Sequence, residues 1–166
     1  MAKAATSYIT EGFHTITPHL VLKDAKKAIE FYQNAFGAEL LYAMPGPGGQ
    51  GVMHAEIIIA GSRLMLGDEM PQMEFWVSPE KLNGTTVAIA LYVPDADTVF
   101  EKAIIAGATV MMPLMDMFWG DRYGKIRDPF GHVWEIATHK QDLTPQEIQK
   151  GAEAFFASMD PGKSSS

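Results

Sequence analysis

The chain of 166 residues is 47% hydrophobic and 20% charged, a balance that suits one globular domain or two small modules sharing a core. Thirteen Lys and Arg against 20 Asp and Glu give a net charge of −7, which speaks against a nucleic-acid footprint. The absence of cysteine excludes disulfides, thiol catalysis and the thiolate pattern of structural zinc.

Residues 1–12 are polar, lack the apolar segment of a signal peptide, and are expected to be a flexible tail. No apolar run approaches the roughly 18 residues of a membrane span, so no membrane association is expected and a cytoplasmic location is the default. A first strand is predicted over Phe13 to Leu22, with Thr15, Thr17, His19 and Val21 on one face. Asp24 then caps a helix to Phe36, whose apolar stripe is Ala25, Ala28, Ile29, Tyr32, Ala35 and Phe36. Strands are predicted over Glu39 to Met44, Val52 to Ala60 and Arg63 to Gly67. Pro45-Gly46-Pro47-Gly48-Gly49 breaks the chain after the first of these, and Gly61 joins the other two.

After a linker the plan recurs. A strand over Thr86 to Val93 leads to a helix from Asp95 to Ala106, then strands over Thr109 to Leu114, Arg122 to Arg127 and His132 to His139. Leu22 to Phe31 resembles Val93 to Lys102 at an offset of 71, and both helices close on Gly-Ala, at Gly37-Ala38 and Gly107-Ala108. Gly61, Leu64, Met65 and Leu66 match Gly131, Trp134, Glu135 and Ile136 seventy residues later. Two copies of a βαβββ unit are too few for a solenoid and read as paired modules. The divisions are 13–70 for the first module, 71–84 for the linker and 85–140 for the second. A C-terminal helix at 141–160 and a flexible tail at 161–166 follow. That helix opens on the capping box Thr144-Pro145-Gln146-Glu147, and its stripe of Ile148, Ala152, Phe155, Phe156 and Met159 needs an apolar surface on its own domain, at the module junction or on a partner.

Asp128-Pro129-Phe130-Gly131-His132-Val133-Trp134-Glu135-Ile136 carries the chief candidate for chemistry. In the two-residue period, Val133, Glu135, Ala137 and His139 share a face. A carboxylate amid strand-forming apolar residues must be hydrated, paired or ligated.

These motifs, with Ile16-Thr17-Pro18-His19-Leu20-Val21, Met53-His54-Ala55-Glu56 and Trp119-Gly120-Asp121-Arg122, resemble the vicinal oxygen chelate superfamily over residues 13 to 140, and most of all its PhnB-like branch. That superfamily holds glyoxalase I, bleomycin-resistance proteins and extradiol dioxygenases. The resemblance implies an α+β fold in which two paired βαβββ modules form a half-open eight-stranded barrel, here with an added C-terminal helix. It also implies a homodimer. Metal-binding members draw ligands from the first and last strand of each module, and those four positions here hold Thr17, Met65, Ala88 and Glu135. Only Glu135 is a competent ligand for a divalent ion, so the usual site is broken. A displaced set of His19, His54 and Glu135 would restore three ligands; the alternative is that the histidines hydrogen-bond in a polar cleft.

The loop before the Glu135 hairpin borders the cleft in the family. Phe118 and Trp119 could stack on a planar ligand and Arg122 could hold an anionic or carbonyl oxygen. Otherwise Arg122 pairs with Asp121 or Asp128 and Trp119 caps the core. Met65 joins Met53, Met111, Met112, Met115 and Met117 as adaptable pocket wall or as gap filler. Three functional readings follow. One is a protein that binds a small planar or aromatic molecule in a cleft without the usual metal, with Met65, His19, His54, Phe118, Trp119 and Arg122 as ligand contacts. The alternative is a lyase, isomerase or dioxygenase that uses a divalent metal cofactor with Glu135 as its catalytic group. In the third, the cleft is vestigial and the protein acts through partners.

Overall fold

Alternation of apolar residues decides which face of each strand is covered in the computed structural model, which describes residues 3–70 and 72–159. The first module comprises β1 (His19–Leu22), α1 (Ala25–Phe36), β2 (Glu39–Pro45), β3 (Val52–Ile59) and β4 (Ser62–Asp68). A short helix α2 (Pro79–Leu82) interrupts the linker. The second module repeats the order as β5 (Ala88–Tyr92), α3 (Ala96–Ile105), β6 (Thr109–Asp116), β7 (Asp121–Arg127) and β8 (Val133–His139), and α4 (Pro145–Met159) follows.

Each module forms one four-stranded mixed sheet, ordered β1-β4-β3-β2 and β5-β8-β7-β6. The edge strands β1 and β5 pair in parallel with β4 and β8, because the intervening helix carries the chain back across the sheet. The two sheets do not close on one another, which is the half-open arrangement of paired βαβββ modules.

One face of each sheet lies under its helix. Leu20, Leu22, Ile57, Ile59, Leu64 and Leu66 are buried there in the first sheet, and Leu91, Ile126, Trp134 and Ile136 in the second. Helices α1 and α3 pack on each other, so a single core runs through both modules. The stripe on α1 is wide because it meets both its own sheet and β8: Tyr32 and Phe36 lie 5.3 and 4.7 Å from the Trp134 ring. The opposite faces of both sheets turn away from α1 and α3.

The expected helix signals appear as hydrogen bonds. Asp24 accepts from the Lys27 N–H and Asp95 from the Thr98 N–H. Gly37 ends α1 in the left-handed region at φ +66°. At Gly131, with φ +90°, an added Cβ would stand 2.9 Å from the Pro79 side chain, so that turn admits little but glycine. It packs the linker helix against the start of β8.

One expectation is corrected and one open alternative is decided. The first strand begins at His19, not Phe13: Thr17 donates its hydroxyl to the His14 carbonyl in a turn, and pairing with β4 reaches back only to the Pro18 carbonyl. The stripe of α4 meets its own chain, where Phe155 and Phe156 lie 5.5 and 6.1 Å from Phe118 and Gly151 sits against the Phe118 backbone. Phe156 and Met159 stay exposed. The tail at 161–166 lies outside the described residues.

Candidate functional site

The open face of the second sheet is set by parity across the last hairpin. Arg127 pairs with Val133, so Lys125 stands opposite Glu135 and Tyr123 opposite Ala137. Lys125 Nζ reaches Glu135 Oε1 at 2.8 Å, with both side chains partly buried. Partial burial pushes the Glu135 carboxyl up, but hydrogen bonds from Lys125 and Tyr123 outweigh it and hold the group below the ordinary glutamate value. The bond to Glu135 first, and then one to Tyr123, hold the Lys125 ammonium above its ordinary value. Glu135 is therefore a carboxylate already neutralised by a cation.

The open face of the first sheet carries a different cluster. The His19 ring stands edge-on to Trp76 at 4.7 Å and to His54 at 5.7 Å. His54 Nε2 lies 3.5 Å from Glu56, whose other oxygen accepts from Arg63 at 2.8 Å. Arg63 also lies 4.5 Å beneath the Phe13 ring, and its buried Nε has no partner among the described residues. Burial first, and then the charge of His54, lower the pKa of His19, so its imidazole is neutral near pH 7.

Register refines the four family positions. Met65 pairs with His19 and Glu135 with Ala90, each two residues beyond the Thr17 and Ala88 expected from sequence. That donor set does not fit a divalent ion. In register it offers the His19 imidazole, the Met65 thioether, the Ala90 methyl and a carboxylate bound to an ammonium, which leaves one unencumbered ligand. His19 and His54 do meet, but Glu135 is on the other sheet. Among the described residues no three His, Asp or Glu side chains converge as a metal cluster.

The loop residues separate. Arg122 pairs with Thr138, so it points to the helix side, where Nε and Nη2 donate to Asp97 at 3.0 and 2.7 Å. Its fork is taken by α3 and not by Asp121 or Asp128, both of which are buried and engaged elsewhere. Phe118 meets α4. Trp119 donates to Asp121 and lies edge-on to Tyr123 at 5.2 Å, which leaves it the loop aromatic nearest Lys125 and Glu135.

At the junction of the two sheets, the unpaired edges of β1 and β5 border a cleft of about 940 Å3. Pro18, His19, Val21, Leu82, Val87 and Ala90 are among its lining residues, and His132 closes one side with Nε2 3.2 Å from the Val21 carbonyl. Size and lining are those of a small-molecule site.

Reading the sequence missed Lys125, Arg63 and Trp76 as site residues. Lys125 had a signal: counting back across the Arg127–Val133 hairpin puts it opposite Glu135. For Trp76, which sits in the linker, there was none.

A model of the glyoxalase/bleomycin resistance protein/dioxygenase superfamily matches residues 12–136. The chain belongs to that superfamily. An uncharacterized protein of Mycobacterium bovis is 46% identical over 136 residues, covering 81% of this chain and 89% of its own. The crystal structure of TioX from Micromonospora is similar at 28% identity and a TM-score of 0.58, over 75% of this chain and 97% of that one. A PhnB protein of Bacillus cereus shares the fold at 21% identity and a TM-score of 0.60, over 75% and 99%. No helix among the described residues is long and apolar enough to cross a membrane.

Proposed function

We propose that this superfamily member binds a small planar or aromatic molecule, without the metal that many relatives of its fold employ. The observation that carries the reading is the Lys125–Glu135 pair: the one carboxylate among the family positions is already matched by a cation. Around it and across the molecule the open faces offer Trp119, Tyr123, Trp76 and Met65, the flat and polarizable surfaces on which an aromatic ring stacks. His19 and His54 add polar contacts that fix orientation.

The reading includes a homodimer. Tyr42 and Tyr92 are exposed on the open faces of β2 and β5. Laying the open face of one copy's first sheet against the second sheet of another would cover such residues and turn two half-sites into a cleft.

A second reading, a divalent-metal enzyme, draws on the neighbouring His19 and His54 with a neutral imidazole at His19. Elemental mass spectrometry on untagged protein purified without chelator separates the two. The binding reading expects no stoichiometric metal, together with quenching of tryptophan fluorescence by planar aromatic compounds that chelator does not alter. Near-stoichiometric Ni, Zn, Mn or Fe, lost in Glu135→Gln, would sink it.

A further inference from the structure

The geometry points to Lys125 as a resident cation that takes the place of a divalent ion against Glu135 and holds an anionic oxygen of the ligand, which makes the preferred ligand class an aromatic monoanion. This rests on the binding reading above and narrows it. An ion on Glu135 would have to displace an ammonium at 2.8 Å, held in register by the neighbouring strand and supported by Tyr123. Such a displacement leaves a partly buried ammonium without its carboxylate partner.

The ammonium has three donors; Glu135 takes one and Tyr123 a second, which leaves one for a ligand oxygen. Its side chain remains 36% exposed on the open face, so it is reachable. Arg127 is two residues along the same strand face and exposed, so Lys125 and Arg127 together outnumber Glu135 there by one positive charge. In a chain of net charge −7 that local excess attracts an anion that the rest of the surface repels. Trp119 and Tyr123, perpendicular to each other beside the ammonium, supply the apolar wall for the attached ring. A lysine is a point charge without the fork of an arginine, which suits a single oxygen and not a planar bidentate group.

The test uses two fluorescent probes of similar shape, the anionic anilinonaphthalene sulfonate and the neutral N-phenylnaphthylamine, titrated into the full chain. The expected result is that Lys125→Met weakens the sulfonate on the order of tenfold while the neutral probe changes less than about twofold. Lys125→Arg should keep the sulfonate within about threefold, and Glu135→Gln should strengthen it by removing the competing carboxylate. Lys125→Met with Glu135→Gln leaves no orphaned charge, so it guards against loss of folding in the single variant and should also bind the sulfonate weakly. Equal losses of both probes in the single and double variants, or unchanged sulfonate binding, would overturn the assignment. Wild type binding neither probe would overturn the binding reading itself, and a chain that binds the neutral probe alone would leave that reading standing and remove this one.

Discussion

The two modules use one backbone plan and almost no common chemistry on their open faces. The first carries His19, His54, Glu56, Arg63 and Trp76, the second Tyr123, Lys125 and Glu135. On the covered faces the same comparison finds apolar residue matched to apolar residue, Leu64 with Trp134 and Leu66 with Ile136. Packing has kept one pattern in both copies, whereas the open faces have been filled independently. A ligand lying between them meets two unlike walls, histidine-rich on one side and cationic on the other.

The modules are tied by a residue that only the second has. Buried Asp128 accepts from Tyr32 Oη at 2.8 Å, from Trp134 Nε1 at 2.9 Å and from the Phe130 and His132 N–H groups. Seventy residues earlier the chain has Ile58. Asp128→Ala strips four donors of their acceptor at the module junction and should cost about 3–5 kcal/mol in urea unfolding. A loss below about 1 kcal/mol would mean that apolar packing of α1 on β8 alone joins the modules.

The next contrast sharpens how the copies solve one problem. Asp68 accepts from the Ala25 N–H at the start of α1 and from the Val52 N–H, both at 2.6 Å. Its counterpart Thr138 accepts from the Ala96 N–H at the start of α3 and donates to the Val93 carbonyl, both at 2.8 Å. A carboxylate acceptor gives stronger bonds than a hydroxyl. Asp68→Ala should therefore cost about 2–3 kcal/mol and Thr138→Val about 1–2 kcal/mol. The reverse order in chemical unfolding would show that burial at Thr138 outweighs charge at Asp68.

The repeat made most of this fold legible. Offsets of 70 and 71, with glycine at the turns and Asp at the helix starts, placed both modules, and strand parity placed Glu135 on an open face. Parity also held what was overlooked. Since Lys125 opposes Glu135, Arg122 is three residues away and must face the helix, where Asp97 takes it. The start of β1 was not legible, because alternation over 13–18 shows that a strand is possible there but not whether a neighbour is present to pair with it. Pro18 has no N–H to offer, and the segment before it turns. Trp76 reaches His19 from the linker by tertiary folding, helped by an Nε1 bond to the Asp68 carbonyl that no local pattern announces.

The smallest expected effect comes from the exits of the modules, where equivalent positions carry residues of opposite titration sign. Glu69 leaves β4 and accepts from the Ser78 N–H and hydroxyl, which hold its carboxyl below the ordinary value. His139 ends β8 between Asp121 at 2.7 Å and Asp142 at 3.0 Å, and hydrogen bonds to Asp121 first and Asp142 second raise its pKa. A depressed carboxyl stabilises fully above its unfolded value of 4.5 and is lost as pH falls through the folded one. A raised imidazole stabilises fully below its unfolded value of 6.5 and is lost as pH rises through the folded one. Both contributions are complete only between those unfolded values, so attachment of the linker should loosen on the acid side and attachment of α4 on the alkaline side. Melting temperatures followed from pH 5.5 to 9 should fall slightly with rising pH in wild type and less in His139→Gln. The Trp119 emission should shift over the same range, because Asp121 holds both the indole and the imidazole. An identical slope in the variant would mean that Asp121 keeps its grip through Tyr92 and Trp119 alone, and that the exit of the second module is as insensitive to alkali as that of the first.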